Sequence, residues 1–319
     1  MTLHGIGPEV LMLCFLLVAA AAFVLGRRTA RGRRIRRDLD YFTGLDHLVN
    51  DRYDRATEVF TRLATTSHEA DIQFALGSLM RKRGEVDRAI AIHSELEKNR
   101  EAPIREQATY ALGLDYMSAG LLDRAEEKLR NLMSSAQYRR AVLERLAWVY
   151  EQQRDWRAAL DVWRELPPEM RRERAVVAAH YCCELGEAAL AANDLPQARA
   201  QLAAARVHAP TAARVQMLAA RVAVAAGDQD KALDLYGVAL GDSQTLREAF
   251  GQEAFAALGS AGPELESRLR AREPVEQPAA PPSARFRCEQ CGVGSLTWHW
   301  RCPSCRSWDS LQSVNNRAE

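Results

Sequence analysis

The sequence predicts an all-α solenoid of helical hairpins, preceded by a membrane-spanning helix and followed by a small module held by paired cysteines. Three observations carry that prediction. An apolar run opens the chain, a spacing of small residues recurs through the middle, and two Cys-x-x-Cys pairs stand near the end.

The apolar run comes first. Val10 to Leu25 holds 16 residues without a polar group, and Ile6 to Leu25 carries only Glu9 as a charge. That is long enough to cross a hydrocarbon core of about 30 Å. A cleavable signal peptide places its positive charge before the apolar stretch. Here the charge follows it, as Arg27, Arg28, Arg31, Arg33, Arg34, Arg36 and Arg37. Residues 1–26 are therefore predicted to be a retained transmembrane anchor, with residues 27–37 as a basic juxtamembrane segment. The arginines stay on the cytoplasmic side, so the rest of the chain is expected in the cytoplasm. The formal net charge of +1 hides this asymmetry, because residues 38–319 are net acidic. An arginine run can also bind nucleic acid, but this one lacks interleaved aromatics and abuts an anchor, so anionic lipid is the better partner. Cys14 inside the run reads as a small apolar residue.

The array follows. Gly44, Gly77, Gly113, Ala147, Gly186 and Ala220 are each followed twelve residues later by a second small residue, Ala56, Ala89, Ala125, Ala159, Ala198 and Ala232. Four residues further on stand Phe60, His93, Leu129, Trp163, Leu202 and Tyr236. A period of about 34 residues, with a polar turn inside each unit, is that of tetratricopeptide repeats. The small pairs are expected to let two antiparallel helices touch, and the large residues to fill the groove against the next repeat. Pro167-Pro168 accounts for the longest interval. Thr245–Leu258 and Pro263–Arg272 read as a weaker helix pair closing the array, which is placed at 38–272. Stacked hairpins of this kind curve into a superhelix whose inner groove binds protein or peptide. Cys182-Cys183 are expected as buried small residues, since adjacent cysteines bridge only under strain and the compartment is reducing. His93 and His180 read as core or groove histidines, and Trp148, Trp156 and Trp163 as core.

Residues 273–284 hold Pro274, Pro278, Pro281 and Pro282 and read as a semi-extended linker. Residues 285–319 then carry Cys288, Cys291, Cys302 and Cys305. Two such knuckles supply four thiolates for one tetrahedral ion, zinc or iron. So short a module cannot hold itself together by an apolar core, so the metal must do so, and the module is expected to pack back on the helices. Trp298, His299 and Trp300 alternate as a strand would, with Trp308 beyond; the tryptophans are expected to shield the metal and His299 to face solvent.

No sequence pattern for an enzyme appears: GxxxxGK[ST], HExxH, GxSxG and GxGxxG are all missing from the chain. An anchor, a tetratricopeptide array and a C-terminal rubredoxin-like knuckle pair together resemble the lipopolysaccharide assembly protein B family. The likeness extends to wording at residues 83–90, 115–126 and 300–308. It carries the metal ligands over to Cys288, Cys291, Cys302 and Cys305. The chain departs by being shorter between the sixth repeat and the linker, where family members carry further repeats. The resemblance implies a bacterial inner-membrane, single-pass regulator of lipopolysaccharide synthesis that is not an enzyme. Its partners would be the membrane protease FtsH and the deacetylase committing precursor to lipid A, which is presented for degradation; homo-oligomerisation is left open. Two other readings stand beside it. A rubredoxin-like site holding iron could carry electrons, and a zinc ribbon could touch nucleic acid, although five arginines against three acids in residues 285–319 give little attraction.

Overall fold

The computed structural model describes residues 38–67, 69–241, 243–271 and 285–314, together with residues 19, 22, 23, 25 and 27. Apart from those isolated positions, the predicted anchor, the arginine collar and the proline-rich segment lie outside the described residues. Among the described residues no helix is long and apolar enough to cross a membrane.

The chain divides into two compact units, residues 1–145 and 146–319. The first contains α1 (residues 38–49), α2 (Tyr53–Thr66), α3 (Ala70–Lys82), α4 (Val86–Glu97), α5 (Ala102–Ser118) and α6 (Leu122–Arg130). The boundary falls inside α7 (Arg139–Gln153). The second unit continues with α8 (Trp156–Glu165), the short α9 (Pro168–Glu173), α10 (Ala175–Ala191), α11 (Leu195–His208), α12 (Ala213–Ala225) and α13 (Gln229–Gly241). It ends with α14 (Gln244–Leu258), a 3-10 turn over Gly259–Ala261, α15 (Gly262–Arg270) and a three-stranded antiparallel sheet. The hairpin order is the one the spacing predicts, and the weaker pair closes on itself through buried Ala254, Leu258, Leu265 and Leu269.

All six second-helix alanines are fully buried. Five residues before each of them the backbone is left-handed, at Asp51, Gly84, Gly120, Arg154, Asn193 and Gly227, with φ between 55° and 82°. The next residue's N–H reaches back to a carbonyl five residues earlier, as in Glu85 to Met80 and Asp155 to Tyr150, both 2.9 Å. The same bond recurs in all six turns. This is a helix stop closed by a left-handed residue, and its last residue opens the next helix. Asp155, Asp194 and Asp228 add side-chain caps to the N–H groups of Ala158, Gln197 and Lys231.

Gly44, Gly77 and Gly113 of the first helices do a different job from the one expected. They make room for the large side chain beyond the alanine rather than chiefly for the alanine itself. A Cβ at Gly44 would lie 2.7 Å from Phe60, at Gly77 2.4 Å from His93, and at Gly113 3.0 Å from Leu129. Phe60, His93 and Leu129 therefore fill their own hairpin, and His93 also reaches Asp115 of the next one, as expected. Gly186 differs, because Leu218 of the following hairpin occupies its space.

His93 is a satisfied core histidine in part. Its Nδ1 lies 2.5 Å from an Asp115 carboxylate oxygen, and Arg81 donates to the other at 2.6 Å. The three side chains tie α3, α4 and α5 together. Cys182 and Cys183 are buried as expected, and burial pushes their thiols up to about 11 and about 12. Trp148 is not core: it is 36% exposed.

Candidate metal centre and its seat on the helices

The C-terminal module is built on β1 (Phe286–Cys288), β2 (Gly294–Ser295) and β3 (Leu311–Ser313), in the order β2-β1-β3. Phe286 pairs with Ser295 on one side and Ser313 on the other. Phe286, Cys288, Cys302 and Leu311 form its small core.

Each knuckle is the same turn. Gly292 N–H donates to the Cys288 carbonyl at 2.9 Å, and Arg306 N–H to that of Cys302 at 3.0 Å. Both donors are left-handed, with φ of 73° at Gly292 and 66° at Arg306. The turns bring Cys288, Cys291, Cys302 and Cys305 together, with all four sulfurs within 4.8 Å of one another. Cys288 and Cys305 Sγ are 3.6 Å apart, and Cys291 and Cys302 Sγ 3.8 Å. Metal–sulfur bonds of about 2.3 Å in a tetrahedron require sulfurs about 3.8 Å apart, so the cluster has the dimensions of a four-thiolate site. Cys288 and Cys302 are buried, while Cys291 and Cys305 face solvent.

The thiols differ in their readiness to ionise. Burial raises Cys288, but Ser310 and the backbone N–H groups of Cys291 and Gln290 outweigh it and bring it down to about 6. Burial pushes Cys302 up to about 11. Ser307 draws Cys305 below the ordinary thiol value. His299 is exposed and bonds Thr297, well away from the ligand role.

The tryptophans are placed differently from the strand-like expectation, since residues 298–300 form no strand. Trp298 does cover the module's core, edge-on to Phe286 at 5.6 Å. Trp300 and Trp308 turn instead to the helices. Trp300 stacks on Phe250 of α14 at 5.4 Å, and Trp308 stacks on His180 of α10 at 4.6 Å with the rings 11° from parallel. Trp156 and Tyr181 close edge-on around Trp308. The predicted packing of the module on the array is thus present within the second unit.

Polar bonds fix the seat. Asp309 meets His180 Nε2 at 2.7 Å. Arg301 reaches Glu151 of α7, whose carboxylate also accepts from the Tyr181 hydroxyl. Burial lowers Arg301, and burial together with Glu151 raises Tyr181. Arg214 of α12 lies over both Trp300 and Trp308, within 5.7 Å of each ring. Burial disfavours its charge, but Glu187 and Glu184 more than offset this and hold its pKa above the ordinary value. At the sheet edge, Ser313 N–H donates to Thr245 Oγ1 at 3.1 Å and the Ser313 hydroxyl to Glu248 at 2.7 Å.

Comparison with known proteins agrees with this architecture. Residues 286–313 match the family described as rubredoxin metal binding domain, and residues 183–246 match the tetratricopeptide repeat. Lipopolysaccharide assembly protein B of Escherichia coli strain K12 is 27% identical over 383 aligned positions, covering 96% of this chain and 98% of that protein. The protein of the same name from Haemophilus influenzae is 24% identical, covering 97% and 99%. The alignments are longer than the chain, so these relatives carry segments that it lacks. The C-terminal part of a tetratricopeptide repeat-containing protein from Cytophaga hutchinsonii shares the fold, with a TM-score of 0.50 at 14% identity, covering 74% of this chain and 96% of that one. The chain is thus similar to lipopolysaccharide assembly protein B along nearly its whole length.

Proposed function

We propose that the protein is a non-enzymatic, membrane-anchored scaffold for lipopolysaccharide assembly, acting at the bacterial inner membrane from the cytoplasmic side. The observation that carries this reading is the match to lipopolysaccharide assembly protein B over 96% of the chain. In this reading the helical array presents the lipid A deacetylase to the membrane protease FtsH, and the apolar run with its arginine collar keeps the complex at the bilayer. Cys288, Cys291, Cys302 and Cys305 hold one zinc or iron ion, which the sulfur spacing accommodates. The ion's part is to keep the module folded, so that Arg301, Trp300 and Trp308 stay seated on α7, α10, α12 and α14.

The test is the full-length Cys302→Ser, Cys305→Ser variant, with metal content, circular dichroism, partner capture and deacetylase turnover measured on one preparation. Loss of metal, capture and turnover with helical content kept is expected. Full capture and turnover from a metal-free helical protein would overturn the scaffold's dependence on the module. Unchanged deacetylase lifetime in cells lacking the whole protein would overturn the assignment itself.

A further inference from the structure

A cleft of about 350 Å³ opens where the second knuckle faces α7, α8, α10 and α12. From the array it is lined by Glu151, Arg154, Glu184 and Arg214, and from the module by Trp298, Arg301, Arg306 and Trp308.

Its acids are already taken. Glu151 binds Arg301 and Tyr181, while Glu184 and Glu187 bind Arg214. What is left over among the lining groups is donor capacity. Arg214 is only 2% exposed, yet its Nε has no partner, and neither has the indole N–H of Trp298 or Trp308. These groups can only donate a hydrogen bond. At the rim, the Arg154 and Arg306 side chains are exposed and form no ion pair among the described residues.

Both rim arginines sit on left-handed backbone, at φ of 57° and 66°. Among the six hairpin turns the equivalent position is otherwise Gly, Asn or Asp, the residues that tolerate this conformation. Arg154 is the one exception. Arg306 stands where the first knuckle has Gly292. Two unrelated turns thus carry the same unfavourable substitution, and both place a guanidinium on one cleft. Residues held in sparsely populated backbone regions cluster at functional sites.

We propose that this cleft binds an oxyanion, a carboxylate or a phosphate, clamped between Arg154 of the array and Arg306 of the module above the Arg214 and indole donors. Guanidinium groups take either oxyanion in a two-point fork. Such a ligand bridges the two parts and stabilises their seat. The inference does not rest on the lipopolysaccharide reading.

The experiment uses the metal-loaded full chain in detergent, titrated separately with inorganic pyrophosphate and with a short all-glutamate peptide. The all-glutamine peptide serves as control. Binding is read by tryptophan fluorescence and calorimetry. Arg154→Gly and Arg306→Gly relax their turns, so both variants should keep their metal and melt no lower than the parent. Each should weaken binding about tenfold. The probe that binds identifies the source of the oxyanion. No binding of either probe, or binding equal in the parent and the double Gly variant, would overturn the proposal.

Discussion

Arg301 grips Glu151 twice, donating from Nη1 to its backbone carbonyl at 2.8 Å and meeting its carboxylate with Nη2 at 2.7 Å. Both side chains are mostly buried, with 12% and 15% exposure. Arg301 immediately precedes the ligand position Cys302, so the fold around the thiols and the contact with α7 share one segment of backbone. Removing one partner of a buried pair leaves the other charge stranded, at a cost of about 3–5 kcal/mol in full burial and less here. Arg301→Ala is therefore expected to lower the melting temperature and shift tryptophan emission to the red, with metal content unchanged. Arg301→Lys should recover little, since an ammonium cannot make both contacts. Parent-like emission from Arg301→Ala would remove this contact from the seat.

The small-residue positions give a graded test. A Cβ at Gly77 would sit 2.4 Å from the His93 ring, which Asp115 holds in place, while at Gly113 it would meet the flexible end of Leu129 at 3.0 Å. Gly77→Ala should cost about 1–3 kcal/mol and Gly113→Ala distinctly less. Chemical denaturation of both variants measures the difference; equal losses would contradict the packing described.

The hairpin turns give a second comparison. Gly120 at φ of 73° has open space around it, so any cost of substitution comes from the backbone alone. Gly120→Val should cost about 1–2 kcal/mol. Gly113→Leu, by contrast, should also disturb packing. Thermal unfolding of the two together separates strain from crowding.

Thiol chemistry separates the cysteines. Stripping the ion with a chelator near neutral pH should unfold the module and so open Cys288, Cys291, Cys302 and Cys305 to alkylation, Cys302 losing with its burial the cause of its raised value. Cys182 and Cys183, raised to about 11 and about 12 by burial, should stay unlabelled until the helices unfold. Mass mapping of the labelled peptides decides this, and labelling of Cys183 in the folded chain would contradict its placement.

Alkali should loosen the seat. Tyr181 is raised above its ordinary value of 10.0, first by burial and then by Glu151. A group raised in the folded state contributes its stability in full below the ordinary value and loses it as the pH climbs beyond. Stability is thus expected to fall above about pH 10 more steeply in the parent than in Tyr181→Phe, measured by urea midpoints across that range. Parallel slopes would dissociate Tyr181 from the effect.

The register of the repeats was legible because it depends on side-chain volume, which the sequence states outright: six alanines twelve residues after a small residue all prove fully buried. The thiol cluster was legible for the same reason, since knuckle spacing fixes which sulfurs meet. The turns were half legible. Gly84, Gly120 and Gly227 announce left-handed backbone, whereas Asp51, Arg154 and Asn193 adopt it without that signal. The seat was foreseen only as a fact, without its residues. His180 and Asp309 are 129 positions apart and Glu151 and Arg301 150 apart, so no local pattern joins them. His180 reads as a core or groove histidine, and what covers it is the module, through Trp308 and Asp309.

Six turns closed by one bond pattern amount to a standard coupling. Because a left-handed residue both ends one helix and sets the start of the next, every hairpin carries its own joint. The relatives are longer, aligned over 383 positions against a chain of 319 residues. The joint rests on backbone conformation, so Gly, Asp, Asn and Arg all serve in it with the same closing bond.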